Sequence, residues 1–260
     1  MAIERRAFLR LAAAGCACCA APVLIGARSD AQAAALWTYD GTSGPNHWGT
    51  LSPDFKTCSL GLQQTPIDLS NAAAGNTGSS LGFDYRPLPL RLVNNGHTIQ
   101  LNADRGSALT IGETRYDLLQ MHFHHPSEHL VDGRAYDMEA HLVHRSEAGD
   151  LAVVGVFIEK GTHNDALAAI FDALPASEGP EIGVEGSFDP LAVLPASRAA
   201  FRYSGSLTTP PCSEGLAWTV FREPITASPE QIRAFAALFP NNARPVQPMN
   251  ERVLIETSGS

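Results

Sequence analysis

Four of the chain's nine histidines fall within ten residues, in QMHFHHPSEH, positions 120–129. Imidazoles gathered this densely suit metal ligation, provided that enough of them face the same way. On a β-strand, residues two apart share a face. If 117–125 is a strand, Gln120, His122 and His124 point one way, and Met121, Phe123 and His125 the other. Two imidazoles on one face, about 7 Å apart at the backbone, can converge on a single ion.

A zinc site with an open position takes three protein ligands. The next strand-like run, 136–145, places Glu139, His141 and Val143 on one face, with Ala140, Leu142 and His144 on the other. His141 is therefore the third candidate, and two adjacent antiparallel strands would bring His122, His124 and His141 to one point. The same parity supplies supporting groups, because a ligating imidazole donates its other N–H to an oxygen that fixes its tautomer. Gln120 stands two residues from His122, and Glu139 two residues from His141. A lone histidine in a sheet is usually a satisfied core residue; H-x-H and E-x-H patterns on neighbouring strands reverse that expectation. Three neutral imidazoles leave the ion its full charge, the arrangement best suited to acidifying a bound water. Zinc is the expected ion, although a three-histidine set also accepts cobalt or another divalent metal. No fourth ligand stands at a suitable spacing, so the site reads as open and catalytic.

The elements that must hold these residues are mostly strands. LGFDYR, LRLVNNG, HTIQLN, SALTIG, TRYDLLQMHFHH, AYDMEAHLVH and LAVVGVFIE follow one another closely, rich in Val, Ile, Phe and Tyr. LAVVGVFI is almost continuously apolar and reads as a strand buried on both faces. NDALAAIFDAL (164–174) and SPEQIRAFAALF (228–239) read as helices, the second opening on Ser228, Pro229 and Gln231 as a capping box. NAAAGNTGSS (71–80) reads as a surface loop. The stretch from Asn241 has too much Pro and Asn for a helix, except at its end. No linker or repeat divides residues 34–260, which read as one domain.

The first 33 residues differ in kind. Arg5-Arg6 with Phe8-Leu9, a 17-residue Ala-rich apolar run and Ala31-Gln32-Ala33 before the domain read as a twin-arginine secretory leader. A membrane helix and a lipoprotein acylated at Cys16 are the competing readings. Export favours a periplasmic or secreted location, with no stable membrane insertion once the leader is removed. The leader carries four Arg against Glu4 and Asp30, so the net charge of −9 becomes −9 − 2 = −11 without it. That charge argues against nucleic acid as a partner. Only Cys58 and Cys212 then remain. In an oxidising compartment they read as one disulfide, the competing reading being two buried thiols.

With these residues in view, the chain resembles the α-class carbonic anhydrases, in particular bacterial secreted members. The resemblance rests on SGPNHWG, QQTPIDL, NNGHTIQL, QMHFHHPSEH, MEAHLVH, LAVVGVF, SLTTPPCSEG, AWTVF and NARPVQP, in that order. It implies a mainly β single domain around a large, mostly antiparallel central sheet of about ten strands, with short peripheral helices. It implies His122, His124 and His141 as zinc ligands, with Gln120 and Glu139 supporting them. Thr208 is implied as the hydroxyl that accepts from zinc-bound hydroxide, and Glu128 as the carboxylate that accepts from Thr208. His97 is implied as the proton shuttle, with Tyr39, Asn95 and Gln100 along its water path; Gln100 stands where Asn is common. Val143, Val153, Leu207, Thr209 and Trp218 are implied as the substrate pocket, and Cys58–Cys212 as a disulfide steadying the SLTTPPC loop. Arg244 and Pro245 fall in a structural segment. His125 replaces a frequent aromatic. His47, His129, His144 and His163 have no catalytic counterpart, and His129 and His144 are expected in buried hydrogen bonds. The activity implied is reversible hydration of CO2 to bicarbonate and a proton; the rival reading is a non-catalytic binding module on the same fold. A homodimer is the assembly the resemblance suggests, with no interface legible in the residues.

Overall fold

The computed structural model describes residues 37–259, so the expected leader and its cleavage site lie outside the described residues. Thirteen strands form one sheet: β1 (Ala73–Ala74), β2 (Leu81–Asp84), β3 (Leu88–Asn94), β4 (Ile99–Asn102), β5 (Ala108–Ile111), β6 (Thr114–His124), β7 (Met138–Ser146), β8 (Leu151–Lys160), β9 (Ile182–Phe188), β10 (Ala200–Ser206), β11 (Glu214–Phe221), β12 (Ile225–Ala227) and β13 (Ile255–Thr257). Ten of them form a continuous path in the order β1-β13-β10-β11-β8-β7-β6-β4-β3-β9, while β12 joins β8, and β2 and β5 attach through β6. The sheet is mixed. Its pairs are antiparallel except β1/β13, β8/β11 and β8/β12. The last residues of the chain, the one place where the C-terminal stretch left room for a helix, form β13 and pair with Ala200–Arg202. Ala73–Ala74, within the stretch read as a loop, pair with β13 on its other side.

Alternation decides what each strand buries. β3 is buried at every second residue, whereas β8 is buried from Ala152 to Ile158 because it lies in mid-sheet with apolar layers on both sides. One layer gathers Met121, Phe123, Ala140, Leu142, Val154 and Val156 beneath Leu167, Ile170, Phe171, Ile232 and Phe235. The last five come from helical segments. Helix Asp165–Phe171 is capped by Asn164, whose side chain accepts from the Leu167 N–H. Helix Pro229–Ala236 carries the full Ser228–Gln231 capping box. Both stop short of the expected ends.

The opposite layer holds Val143, Val153, Tyr203 and Trp218. A bulge at Leu119 shifts the β6–β7 register between Leu118 and Gln120. Leu118 therefore joins the Met121–Phe123 side, and the two-residue alternation expected from Asp117 holds only from Gln120 onward. That bulge sets the histidine segment in phase with β7.

Cys58 and Cys212 form a disulfide across 154 positions, with Cα atoms 5.0 Å apart. Cys212 N–H donates to Thr209 O (2.9 Å), so the bridge anchors the loop that carries Thr208. In the loop-entropy treatment, a closure of this length contributes about 5 kcal/mol. Urea unfolding of the oxidised protein and of the C58S/C212S variant should show a stability loss of that order, with the slope of the transition compared to expose any change in the unfolded state. Coincident midpoints would contradict the assignment.

Candidate metal centre

The register of the central strands lays out the site in rows. His122 stands directly opposite His141, Gln100 pairs with His122, and His141 pairs with Gly155. One row along, Gln120 pairs with Val143, Val143 with Val153, Val153 with Trp218, and Trp218 with Tyr203. Histidines and apolar wall are thus successive rows on one face of one sheet.

His122, His124 and His141 each bring a ring nitrogen into a cluster whose atoms all lie within 4.8 Å of one another. The opposite ring nitrogens are fixed by acceptors. His122 Nδ1 donates to Gln120 Oε1 (2.8 Å), His124 Nδ1 to Asn242 O (2.8 Å) and His141 Nε2 to Glu139 Oε1 (2.9 Å). Each hydrogen bond selects a tautomer, leaving lone pairs on His122 Nε2, His124 Nε2 and His141 Nδ1. Burial is the main cause holding all three rings neutral: His122 is pushed well below the ordinary histidine value, His124 to about 4, and His141 also downward. A neutral imidazole is the form that ligates metal.

The buried His124 Nε2 makes no hydrogen bond, and it faces Glu128 Oε2 at 3.4 Å, which makes none either. Two buried acceptors this close to one another call for a cation or a proton. The three converging imidazole lone pairs of His122, His124 and His141 are a donor set that fits a borderline metal such as zinc.

Glu139 anchors the arrangement. Its Oε2 accepts from the backbone N–H groups of Glu128 (3.0 Å) and His129 (2.9 Å), and its Oε1 from His129 Nδ1 (2.7 Å) and His141 Nε2. Burial alone would raise its pKa, but the His129 and His141 rings overcome that and hold it well below the carboxylate range. The chain continues through His129 Nε2 to Tyr203 Oη (2.6 Å) and on to Thr65 Oγ1 (3.3 Å). His129 is therefore a hydrogen-bonding core residue. A Cβ added at Gly155 would stand 3.0 Å from Glu139 Oε1, so the bare glycine makes room for this carboxylate.

Glu128 Oε1 accepts from Arg244 N–H (2.9 Å). Burial raises its pKa to about 7, opposed by the neighbouring His141 ring, the Arg244 N–H and a hydrogen bond from the Thr208 hydroxyl. Val143, Val153 and Trp218 are buried, and the partly buried Leu207 packs against them. Trp218 Nε1 donates to Ser206 O (2.9 Å) and its ring lies edge-on to His141 at 4.9 Å. His97 stacks on Trp37 with ring centroids 3.7 Å apart and planes 6° from parallel. Asn95 Oδ1 accepts from the His97 and Thr98 N–H groups, so it also shapes the turn that carries His97. Tyr39 lies edge-on to His97 at 6.4 Å.

The other histidines fall outside the cluster. His144 Nε2 meets Tyr85 Oη at 2.7 Å in the buried interior, and His125 Nδ1 donates to Pro240 O at 3.0 Å. The exposed His163 lies near Asp165, and His47 precedes a one-turn helix. A surface cleft of about 1260 Å³ lies at the far ends of β6 and β7, away from the histidine cluster.

Three contributors escaped the residue pattern. Asn242 holds His124 through its carbonyl, and its side chain bonds Phe123 O, His97 O and the His125 N–H. Trp37 and Gly155 act through stacking and through empty space. Only the NARPVQP segment drew attention to the neighbourhood of Asn242.

Fold and site together define a class: single-domain proteins that carry a three-histidine metal site on the face of a large mixed sheet. The family model for eukaryotic-type carbonic anhydrase matches residues 43–258. A carbonic anhydrase from Nostoc sp. is 52% identical over 225 residues, 85% of each chain. The α-carbonic anhydrase of Thermovibrio ammonificans, solved with the inhibitor sulfanilamide, superposes with a TM-score of 0.82 at 40% identity, covering 84% of this chain and 98% of that one. Dioscorin complexed with ascorbate superposes with a TM-score of 0.80 at 35% identity, covering 86% of this chain and 98% of that one. The chain belongs to the α-class carbonic anhydrase family and is an enzyme of that class.

If Glu139 fixes His141, removing its carboxylate frees the ring and strands four donors. E139A should weaken metal affinity by about 10- to 100-fold, read by competition against a chromogenic chelator. Unchanged affinity in a folded E139A protein would contradict this role.

Proposed function

We propose that the chain catalyses reversible hydration of CO2 to bicarbonate and a proton, with Zn2+ held by His122, His124 and His141. The observation that carries this reading is the set of three neutral imidazoles, His124 and His141 buried and His122 partly buried, with converging lone pairs beside an apolar wall. Zinc bound there would act as a Lewis acid, making water a nucleophile near neutral pH.

The chain's own groups do the rest. Gln120, Asn242 and Glu139 orient the three rings. Thr208, donating to Glu128, offers only lone pairs towards the histidines. The attacking oxygen must donate to it, which turns that oxygen's free lone pair towards the substrate. Val143, Val153, Leu207 and Trp218, with Thr209 at their edge, give a small apolar gas a surface without competing donors. His97 takes up the product proton through water bordered by Tyr39, Asn95 and Gln100, a task suited to an imidazole near neutral pH. The site offers sulfonamides of the sulfanilamide type the same surroundings.

Residues 1–33 act, in this reading, as a twin-arginine leader that delivers residues 34–260 to the periplasm or the medium. The Cys58–Cys212 bridge suits an oxidising compartment. No helix among the described residues is long and apolar enough to cross a membrane.

Stopped-flow CO2 hydration should be fast as purified, vanish on zinc removal and return on its restoration. H97A should lower kcat about tenfold or more in weak buffer, leave kcat/KM unchanged and recover with added imidazole. Folded, zinc-loaded protein without hydration would overturn the proposal.

A further inference from the structure

One hydrogen-bonded chain on the histidine face has no part in ligation. Gln100 pairs with His122 and Asn102 with Gln120, so both amides share the face of the cluster. Gln100 Nε2 donates to Asn102 Oδ1 (2.6 Å), and Asn102 Nδ2 donates to Glu181 Oε2 (2.6 Å). The other oxygen of Glu181 stands 3.7 Å from Arg91 Nε. Glu181 itself is held in place, because Ile182 is in register with Leu92, Gly179 N–H donates to Asn94 O (3.1 Å) and Asn94 Nδ2 donates to Pro175 O (2.9 Å).

A carboxamide has a donor end and an acceptor end of nearly the same shape, and only its neighbours decide which end points where. A carboxylate accepts and never donates. Facing Glu181, Asn102 must therefore present its NH2 group, which turns its Oδ1 towards Gln100. Gln100 must then present its own NH2 group to Asn102, which leaves Oε1 for the histidine side. We propose that Glu181 is a positioning residue that sets the polarity of Gln100 through Asn102. Gln100 then lines the proton path with an acceptor, and the adjacent water donates to Oε1 and keeps its lone pairs for the incoming proton. Inverted, the amide would offer donors and turn that water round. The inference rests on the reading of Gln100 as a neighbour of the proton path.

The test pairs kinetics with a direct view of the amides. E181A frees both amides to invert, whereas E181K supplies a donor where an acceptor stood and drives the inverted arrangement. In weak buffer kcat should fall by roughly 2- to 10-fold in E181A, the range expected from one hydrogen bond, and further in E181K. kcat/KM should be unchanged in both, and E181D should restore kcat. In an N102L background, which cuts the chain, neither change at 181 should have a further effect. Side-chain 1H–15N resonances of both Asn102 and Gln100 should shift in E181A. Persistence of the kinetic effect in N102L would overturn the relay in favour of a simple charge effect. Gln100 resonances untouched by E181A would overturn it whatever the kinetics. Wild-type protein without CO2 hydration would remove the proton-path reading, while the resonances would still decide whether Glu181 orients Gln100.

Discussion

The pairing of His122 with His141 across β6 and β7 is the constraint on which the rest of the site depends. Side chains alternate with a period of two, so a slip of one residue would send one of these rings into the opposite apolar layer. The bulge at Leu119 is what makes the pairing compatible with the strand's own hydrophobic pattern. Upstream of it Leu118 packs with Met121 and Phe123, and downstream the histidines take the opposite face. The apolar layer on one face thereby fixes the chemistry on the other.

Correct register alone would leave three rings free to rotate. Rigidity comes from oxygen acceptors that differ in kind and origin: an amide two residues away, a backbone carbonyl 118 residues away, and a buried carboxylate. The carboxylate is the costly one, because moving an ion out of water is penalised by several kcal/mol. Four donors converge on Glu139 to offset that penalty, two of them backbone N–H groups of the turn that carries Glu128 and His129. One interaction therefore fixes a ring, neutralises a buried charge and positions the loop bearing Glu128. The disulfide does comparable work for the Thr208 loop, so the segments bearing Glu128 and Thr208 are secured separately.

Much of this was legible in the sequence, for a physical reason. Period-two alternation is local, so H-x-H on one strand and E-x-H on the next could be read without knowing the fold. The strand character of LAVVGVFI and the Ser228–Gln231 capping box are local in the same sense. What escaped the reading depends on distance along the chain or on empty space. Asn242 reaches His124 from a segment without regular structure, Gly155 matters for the volume it leaves beside Glu139, and Trp37 matters only once its ring lies on His97. The C-terminal stretch formed a strand because an open sheet edge was there to receive it, which no local propensity encodes. The leader reading concerns residues outside the described part of the chain and stands on its sequence pattern alone.

In the proposed site His122, His124 and His141, and no carboxylate, hold one zinc ion. X-ray absorption at the zinc edge of the purified protein tests that claim most directly. The expected result is one zinc per chain, with three imidazole nitrogens at about 2.0–2.1 Å and one position that the protein does not fill. A carboxylate oxygen or a fourth imidazole in the coordination sphere, or fewer than three imidazoles, would contradict it.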